Sequence, residues 1–224
     1  MNFSVNSLES GRVEVNGGYQ LKRLFDATLS SVGLILSSPL WVLFSLAIKL
    51  EVAGPIFHGQ ERVGREGRRF KSCKFRSMAA DSEQTFGLLQ AKENDHRVTR
   101  VGRILRATAL DELPQLWNIF KGDMSFVGPR ALLPREIEIR GPEKGSGRVI
   151  PLEQIPGYSE RHTVRPGLTR LAQVYAPRDI PRREKFKYDL LYIKRQSLWL
   201  DLKLIAISFW ITFRAKWESR GKKF

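Results

Sequence analysis

Residues 27–48 run for 22 positions without a charge, ATLSSVGLILSSPLWVLFSLAI. A straight helix of that length reaches about 33 Å, roughly the thickness of a hydrocarbon core. The run therefore reads as a membrane segment. It starts too far into the chain, and lacks a small-residue cleavage site, for a signal peptide. Ser38-Pro39 sits at its centre. Pro39 removes an amide donor and clashes with the carbonyl of Ile35, so a break is expected there. Ser37 and Ser38 are placed to bond the freed carbonyls. Each arm is then about a dozen residues, about 18 Å, too short to cross alone. Two topologies fit: a kinked spanning helix, and a bent hairpin that enters and leaves by one face. The cations that follow, Lys49 through Arg76, favour a cytoplasmic C-terminal side, whereas only Arg12, Lys22 and Arg23 precede the run.

The rest of the chain narrows the partner. With 38 Lys+Arg against 23 Asp+Glu among 224 residues, the formal charge is +15. That excess asks for an anion: nucleic acid, an anionic membrane surface or a phosphorylated substrate. The hydrophobic content of 42% supports a real core and excludes wholesale disorder. Cys73 stands alone, and His58, His96 and His162 lack zinc-ligand spacing, so a disulfide-stapled domain and a zinc module are both excluded.

Residues 1–20, polar and rich in Ser, Asn and Gly, read as a mobile tail. Residues 68–78 (RRFKSCKFRSM) read as an extended segment with Lys74 and Arg76 on one face. Residues 141–157 are rich in Gly and Pro and read as a loop. Phe186, Leu190 and Ile193 recur at helical spacing over residues 184–195. The stretch 197–217 is apolar, but only ten residues separate Lys203 from Arg214, too few to cross a bilayer. Its tryptophans 199, 210 and 217, with Arg214 and Lys216, suit a helix docked at the headgroup boundary, the alternative being a buried core helix.

The most informative run is residues 108–130, TALDELPQLWNIFKGDMSFVGPR. Leu113, Leu116, Trp117 and Phe120 fall on one helical face. Pro114 is tolerated only in the first turn and Gly122 ends the helix, so Asp111 and Glu112 lie at its start. There, unpaired amides and the helix dipole favour anions. On its own, Asp111 reads first as an ordinary N-cap, and it is the cations around it that point to chemistry. Lys74, Arg76, Arg130 and Arg165 sit in KFRS, VGPR and VRPG, beside turns or extended sequence, where cations can converge on a polyphosphate.

From about residue 21 to 214 the chain resembles the small monotopic phosphoglycosyl transferases, the polyprenol-phosphate hexose-1-phosphate transferases of bacterial glycan assembly. The carrying residues are LKRLFDATLSSVGLILSSPL, PIFHGQERVGREGRRFKSCKFRSM, LRATALDELPQLWNIFKGDMSFVGPR, VRPGLTRLAQV and FKYDLLYIK. The resemblance implies that Asp111 attacks the β-phosphorus of a UDP-sugar, releasing UMP and leaving an aspartyl phosphosugar that a polyprenol phosphate then accepts. It implies that Glu112 helps hold Mg²⁺ (or Mn²⁺). It also implies a re-entrant helix–break–helix at Ser38-Pro39, with the soluble part on the cytoplasmic face of the bacterial inner membrane. Asp123 and Asp189 lie in matching motifs and are lesser candidates, each equally able to cap a turn or pair with a cation. The family commonly shows T-G-W after VRPG, where this chain has Thr169-Arg170-Leu171; Arg170 reads there as a substrate contact or a surface charge. The 141–157 loop reads as longer than in the smallest members, and with no large N-terminal membrane region in the sequence the chain is expected to group with the minimal ones.

The expected architecture is α+β, mainly helical: a tail (1–20), a re-entrant membrane element (21–50), a cytoplasmic catalytic domain (51–196) and an interfacial C-terminal helix with a basic tail (197–224). The expected partners are a UDP-sugar, polyprenol phosphate, membrane lipids and a second copy of the chain, with no nucleic acid. Two other classes compete. A membrane-tethered basic module that binds nucleic acid or anionic lipid without catalysis fits the charge, but the aromatics form no base-stacking pattern. A glycosyltransferase with a nucleotide-binding sheet would need a βαβ unit with a glycine-rich turn, and none is evident.

Overall fold

The computed structural model describes residues 16–79, 95, 97–140, 148–177 and 180–213. One long helix, α1 (Asn16–Glu51), leads into a hairpin of β1 (Phe57–Val63) and β2 (Arg69–Phe75). Then follow α2 (Arg100–Ala107), a 3-10 turn (Leu110–Glu112), α3 (Gln115–Lys121) and β3 (Ser125–Val127). Next come β4 (Ile137–Arg140), β5 (Arg148–Pro151), α4 (Tyr158–Arg161), β6 (Gly167–Thr169), α5 (Leu171–Tyr175), α6 (Arg182–Arg195) and α7 (Leu198–Phe213). Among the described residues the strands form three two-stranded sheets: β1–β2 and β4–β5 antiparallel, β3–β6 parallel. Helix outweighs strand, and the mixed class agrees with the sequence.

Helix α1 runs through Pro39 as one continuous helix, where the sequence reading expects a break, and is long and apolar enough to cross a membrane by length and composition. It begins at Asn16, so the end of the segment read as a tail is helical. The Ile35 carbonyl, which loses its amide partner to Pro39, accepts the Ser38 hydroxyl at 2.8 Å. A stripe of Lys22, Asp26, Ser30, Ser37 and Ile48 is buried, with Gly33, Trp41 and Phe44 half-buried between them. These positions step by three or four, one helical face. The opposite face is bare: Ile35 and Leu36 are 72% and 74% exposed. α1 thus lies against the rest of the protein along its whole length while turning leucines outward.

Both ends of α1 are fastened. Lys22 pairs with Asp201 of α7 at 2.5 Å, and Arg23 donates to the carbonyls of Ile119 and Phe120 at the end of α3. Glu51 accepts from the Arg100 and Val101 amides, closing the first turn of α2 beside the Thr99 cap. Ile48, Phe75 and Leu105 form a buried cluster with Trp41, Phe44, Leu110 and Leu113 around it. This cluster sets the ends of β2 and α2 side by side, and the 3-10 turn grows out of it.

Three expectations need correction. Residues 148–151 of the supposed loop are β5, paired with β4, because Val149 and Ile150 favour a strand despite the surrounding glycines and prolines; residues 141–147 lie outside the described residues. The buried side of α3 is Gln115, Leu116, Asn118 and Ile119. Trp117 and Phe120 stack on each other at 5.5 Å, about half exposed, because α3 is wedged between α1 and β2. Helix α7 buries one stripe, Asp201, Leu204 and Ser208, and exposes Trp199, Phe209 and Trp210 on the other, so it combines the core and surface readings. Trp217, Arg214 and Lys216 lie outside the described residues.

Candidate active site

The site starts from a strained turn. Ala109 adopts φ 56, a left-handed conformation that costs a residue with a Cβ about 1 kcal/mol. That kink ends α2 and throws Leu110–Glu112 into the 3-10 turn, while Pro114 opens α3. Asp111 therefore caps no helix, contrary to the N-cap reading: the residue before α3 is Pro114, with no side-chain cap bond. Leu110 and Leu113 pack into the cluster beneath, leaving Asp111 and Glu112 at the rim.

From β2, Lys74 reaches across to both acids. Its Nζ bonds Glu112 Oε1 and stands 3.9 Å from Asp111 Oδ2, too far for a hydrogen bond. The two carboxylates consequently differ. Burial pushes the Asp111 carboxyl up to about 6, assisted by Glu112 and opposed by Lys74 and Arg106; its side chain is 13% exposed. Burial also acts against the charged form of Glu112, but the Lys74 charge and hydrogen bond, with Arg170 and Arg130, outweigh it and hold that carboxyl below its ordinary value.

Arginines close around Glu112. Burial, with Arg130 beside it, pushes Arg170 down to about 10, and burial with Arg130 does the same to Arg62. Burial and Arg182 lower Arg130 as well. Arg62 donates to the Ala131 carbonyl at 3.1 Å and to Gln60; Arg170 donates to Gln173 at 2.9 Å. Arg130 Nε is buried with no hydrogen-bond partner. Mutually repelling, desolvated guanidiniums with an unused donor create a potential that favours an anion. The loop bearing Arg130 is fixed by backbone packing: a Cβ on Gly128 would sit 2.4 Å from the Arg165 carbonyl, and one on Gly167 would sit 2.0 Å from the Gly128 amide. Only glycine fits in VGPR and VRPG.

The residues singled out in the sequence separate into groups. Asp111, Glu112, Lys74 and Arg130 come together. Arg76 follows β2, its guanidinium against Gly54 and its Nη1 buried without a hydrogen-bond partner. Arg165 is elsewhere, donating to the Gly122 carbonyl at 2.7 Å and lying against the Tyr19 ring. Asp123 pairs with Lys121 at 2.8 Å and accepts from Asn118. Asp189 is buried and takes two bonds from Arg161, at 3.0 and 2.9 Å. Arg62 was missed; its signal was the period-2 placement of Gln60 and Arg62 on one face of β1. Asn118 was also missed. It links α3 to β2 by accepting from the Cys73 amide and donating to the Lys71 carbonyl, which sets the height of Lys74.

Among the described residues no group of three His, Cys, Asp or Glu could hold a metal. Two adjacent carboxylates remain, and only Oε1 of Glu112 is bonded to Lys74. That donor set fits Mg²⁺ or Mn²⁺, ions that keep water and substrate oxygens and need one or two protein carboxylates. It does not fit an all-protein cage.

An acid raised by burial, an acid locked by Lys74 and a ring of arginines form an arrangement whose charge suits phosphoryl groups. Comparison with known proteins gives the family. Residues 18–215 match the bacterial sugar transferase model, and the chain belongs to that family. It is 40% identical, over 92% of its length and 46% of the relative's, to a UDP-glucose:undecaprenyl-phosphate glucose-1-phosphate transferase of Klebsiella pneumoniae. It is 42% identical, over 83% of its length and 42% of the relative's, to a UDP-N-acetylgalactosamine-undecaprenyl-phosphate N-acetylgalactosaminephosphotransferase of Aeromonas hydrophila. An exopolysaccharide production protein of Rhizobium leguminosarum bv. phaseoli is 40% identical over 83% of the chain and 91% of its own length. The chain thus spans under half of the first two and most of the third.

Proposed function

We propose that this chain moves a sugar-1-phosphate from a UDP-sugar to polyprenol phosphate, initiating a bacterial glycan such as an exopolysaccharide. The observation that carries the reading is Asp111: a buried carboxylate, unbonded to its nearest cation, whose partner acid is locked by Lys74. With a pKa of about 6 it is mostly ionised at neutral pH and free to attack. Asp111 Oδ2 forms a bond to the β-phosphorus as the bond from that phosphorus to the bridging oxygen breaks, and UMP departs with the electron pair. An oxygen of polyprenol phosphate then bonds the same phosphorus, and the carboxylate leaves. Splitting the transfer gives each acceptor its own step. Neither step needs a proton moved onto the enzyme.

Arg130, Arg170 and Arg62 bind the diphosphate, and Lys74 holds Glu112 away from Asp111. Where a divalent ion is bound, Glu112 holds it, and its charge offsets the repulsion between the diphosphate and the attacking carboxylate. The relatives from Klebsiella pneumoniae and Aeromonas hydrophila, whose names pair a UDP-sugar with undecaprenyl phosphate, support these two substrates.

The same reading includes a monotopic attachment. Lys22 and Arg23 before Pro39, and Ile48 and Glu51 after it, all touch the same body. A helix crossing the bilayer would carry one end about 30 Å away from that body. The exposed leucines of α1 and the tryptophans of α7 then enter one leaflet of the inner membrane from its cytoplasmic face, with Ser38-Pro39 in the middle of the submerged helix. The test is a panel of UDP-sugars with polyprenol phosphate, scored for UMP. UMP release dependent on Asp111 supports transfer; salt-dependent nucleic-acid binding without UMP release would replace it with the basic binding module.

A further inference from the structure

A second cationic cavity lies at the other end of β2. Lys74 is near the strand's end and Arg69 at its start, about 17 Å apart in an extended chain. The turn of the β1–β2 hairpin, the end of α3 and the first turns of α1 enclose a space of about 510 Å³, within the range of small-molecule sites. Five cations line it, Arg65, Arg68, Arg69, Lys121 and Arg165, against two acids, Glu66 and Asp123.

Those acids are already engaged. Glu66 is shared by Arg65 at 3.0 Å and Arg68 at 3.8 Å, and Asp123 is taken by Lys121 and Asn118. The guanidiniums of Arg65 and Arg165 both lie against the ring of Tyr19, at 4.4 and 4.8 Å. Burial lowers the Arg165 pKa, and Arg23 and Arg65 lower it further by repulsion. Two donors, the Tyr19 hydroxyl and Arg65 Nε, are buried with no hydrogen-bond partner. A buried donor left unpaired carries its full desolvation cost, more when charged, so a cavity with two of them beside repelling cations is stabilised by an anion.

We propose that this cavity binds a phosphate-bearing anion, with Arg65, Arg165 and the Tyr19 hydroxyl as the recognising groups. Arginine's fork and a phenolic donor match phosphate oxygens, and hydrogen bonds to a charged group are the strong ones. The site stands on residues that the Asp111–Glu112 reading does not use, so either can fail alone. The phosphate has two sources, a free diphosphate or a phospholipid headgroup reached from the start of α1, and two arms separate them.

The full chain in zwitterionic detergent is titrated calorimetrically with inorganic pyrophosphate. The same protein is titrated with phosphatidylcholine nanodiscs with and without phosphatidylglycerol. The variants are Tyr19→Phe and the double variant Arg65→Gln/Arg165→Gln, with Arg130→Ala to remove pyrophosphate binding at the first site. A loss of about tenfold or more in the double variant is expected in one arm, with a smaller loss in Tyr19→Phe. Loss in the pyrophosphate arm identifies a free diphosphate; loss of the phosphatidylglycerol increment identifies a headgroup. Unchanged binding in both arms, with thermal midpoints matching the parent, overturns the proposal. Should the double variant fail to fold, Tyr19→Phe, which removes one oxygen, decides on the same criterion.

Discussion

Asp189 and Asp111 are both carboxylates that burial pushes up, and they are treated in opposite ways. Asp189 meets Arg161 through two bonds, and Arg161 spends its Nη2 on the Arg130 carbonyl as well. Asp201 is handled similarly: Lys22 holds one oxygen and the Tyr192 hydroxyl the other. Asp111 has a lysine at 3.9 Å that is committed to its neighbour. The satisfied acids hold elements together: Asp189 joins α4 to α6, and Asp201 joins α1, α6 and α7. The acid without a hydrogen-bonded cation sits beside a strained turn at the rim. Burial alone does not mark a functional acid; burial without a hydrogen-bonded cation does.

The contrast predicts opposite signs. Asp111→Asn is expected to lower sugar-phosphate transfer at least about a thousandfold, as loss of a covalent nucleophile does. The same change raises stability, since at neutral pH the native state carries a carboxylate whose ionisation burial opposes; the gain is up to about 3 kcal/mol, read as a higher urea midpoint. Asp189→Ala goes the other way. It strands Arg161 in the interior and costs about 3–5 kcal/mol, measured by the same unfolding curve. Equal effects of the two changes on stability would dissolve the comparison.

Arg170→Ala sharpens the assignment of the cationic ring. It removes a charge facing Glu112 and is expected to lower kcat/KM about a hundredfold, leaving the unfolding midpoint nearly unchanged. The pH profile follows from Asp111. Its protonated form cannot attack, so the rate falls about tenfold per unit once pH drops below about 6. Stability from this group changes oppositely. The native carboxyl binds its proton more tightly than the unfolded one, so its contribution rises as pH falls from about 6 towards about 4. The smallest effect belongs to the turn: Ala109→Gly relieves the left-handed strain and is expected to add about 1 kcal/mol of stability.

Much of this was legible in the sequence, for reasons that differ by element. The run from Asp111 to Gly122 announced α3 and its Gly122 end because Gly122 acts locally, but its start falls at Gln115, four residues past Asp111, because the left-handed Ala109 puts Leu110–Glu112 into a separate 3-10 turn. The uncharged run around Ser38-Pro39 announced α1, and even the serine that serves the orphaned carbonyl. Spacing failed where tertiary contacts decide. Trp117 and Phe120 share a helical face with Leu116, yet α1 and β2 cover the adjoining side. The grouping of the cations was also out of reach. Arg130 and Arg165 occupy equivalent-looking turns, and only the parallel pairing of β3 with β6, backbone on backbone through Gly128 and Gly167, shows that they point to different places. Arg170, undecided between substrate contact and surface charge, lies beside Glu112 because Thr169 ends β6 next to the Arg130 loop.

The central claim is a bond between one carboxylate and a sugar-bearing phosphorus. Intact-protein mass spectrometry of the full chain, incubated with a UDP-sugar and no lipid acceptor, tests it directly. The account predicts an added mass equal to one sugar phosphate, lost when polyprenol phosphate is supplied and absent in Asp111→Asn. An adduct that persists in Asp111→Asn, or full transfer by that variant, would contradict it.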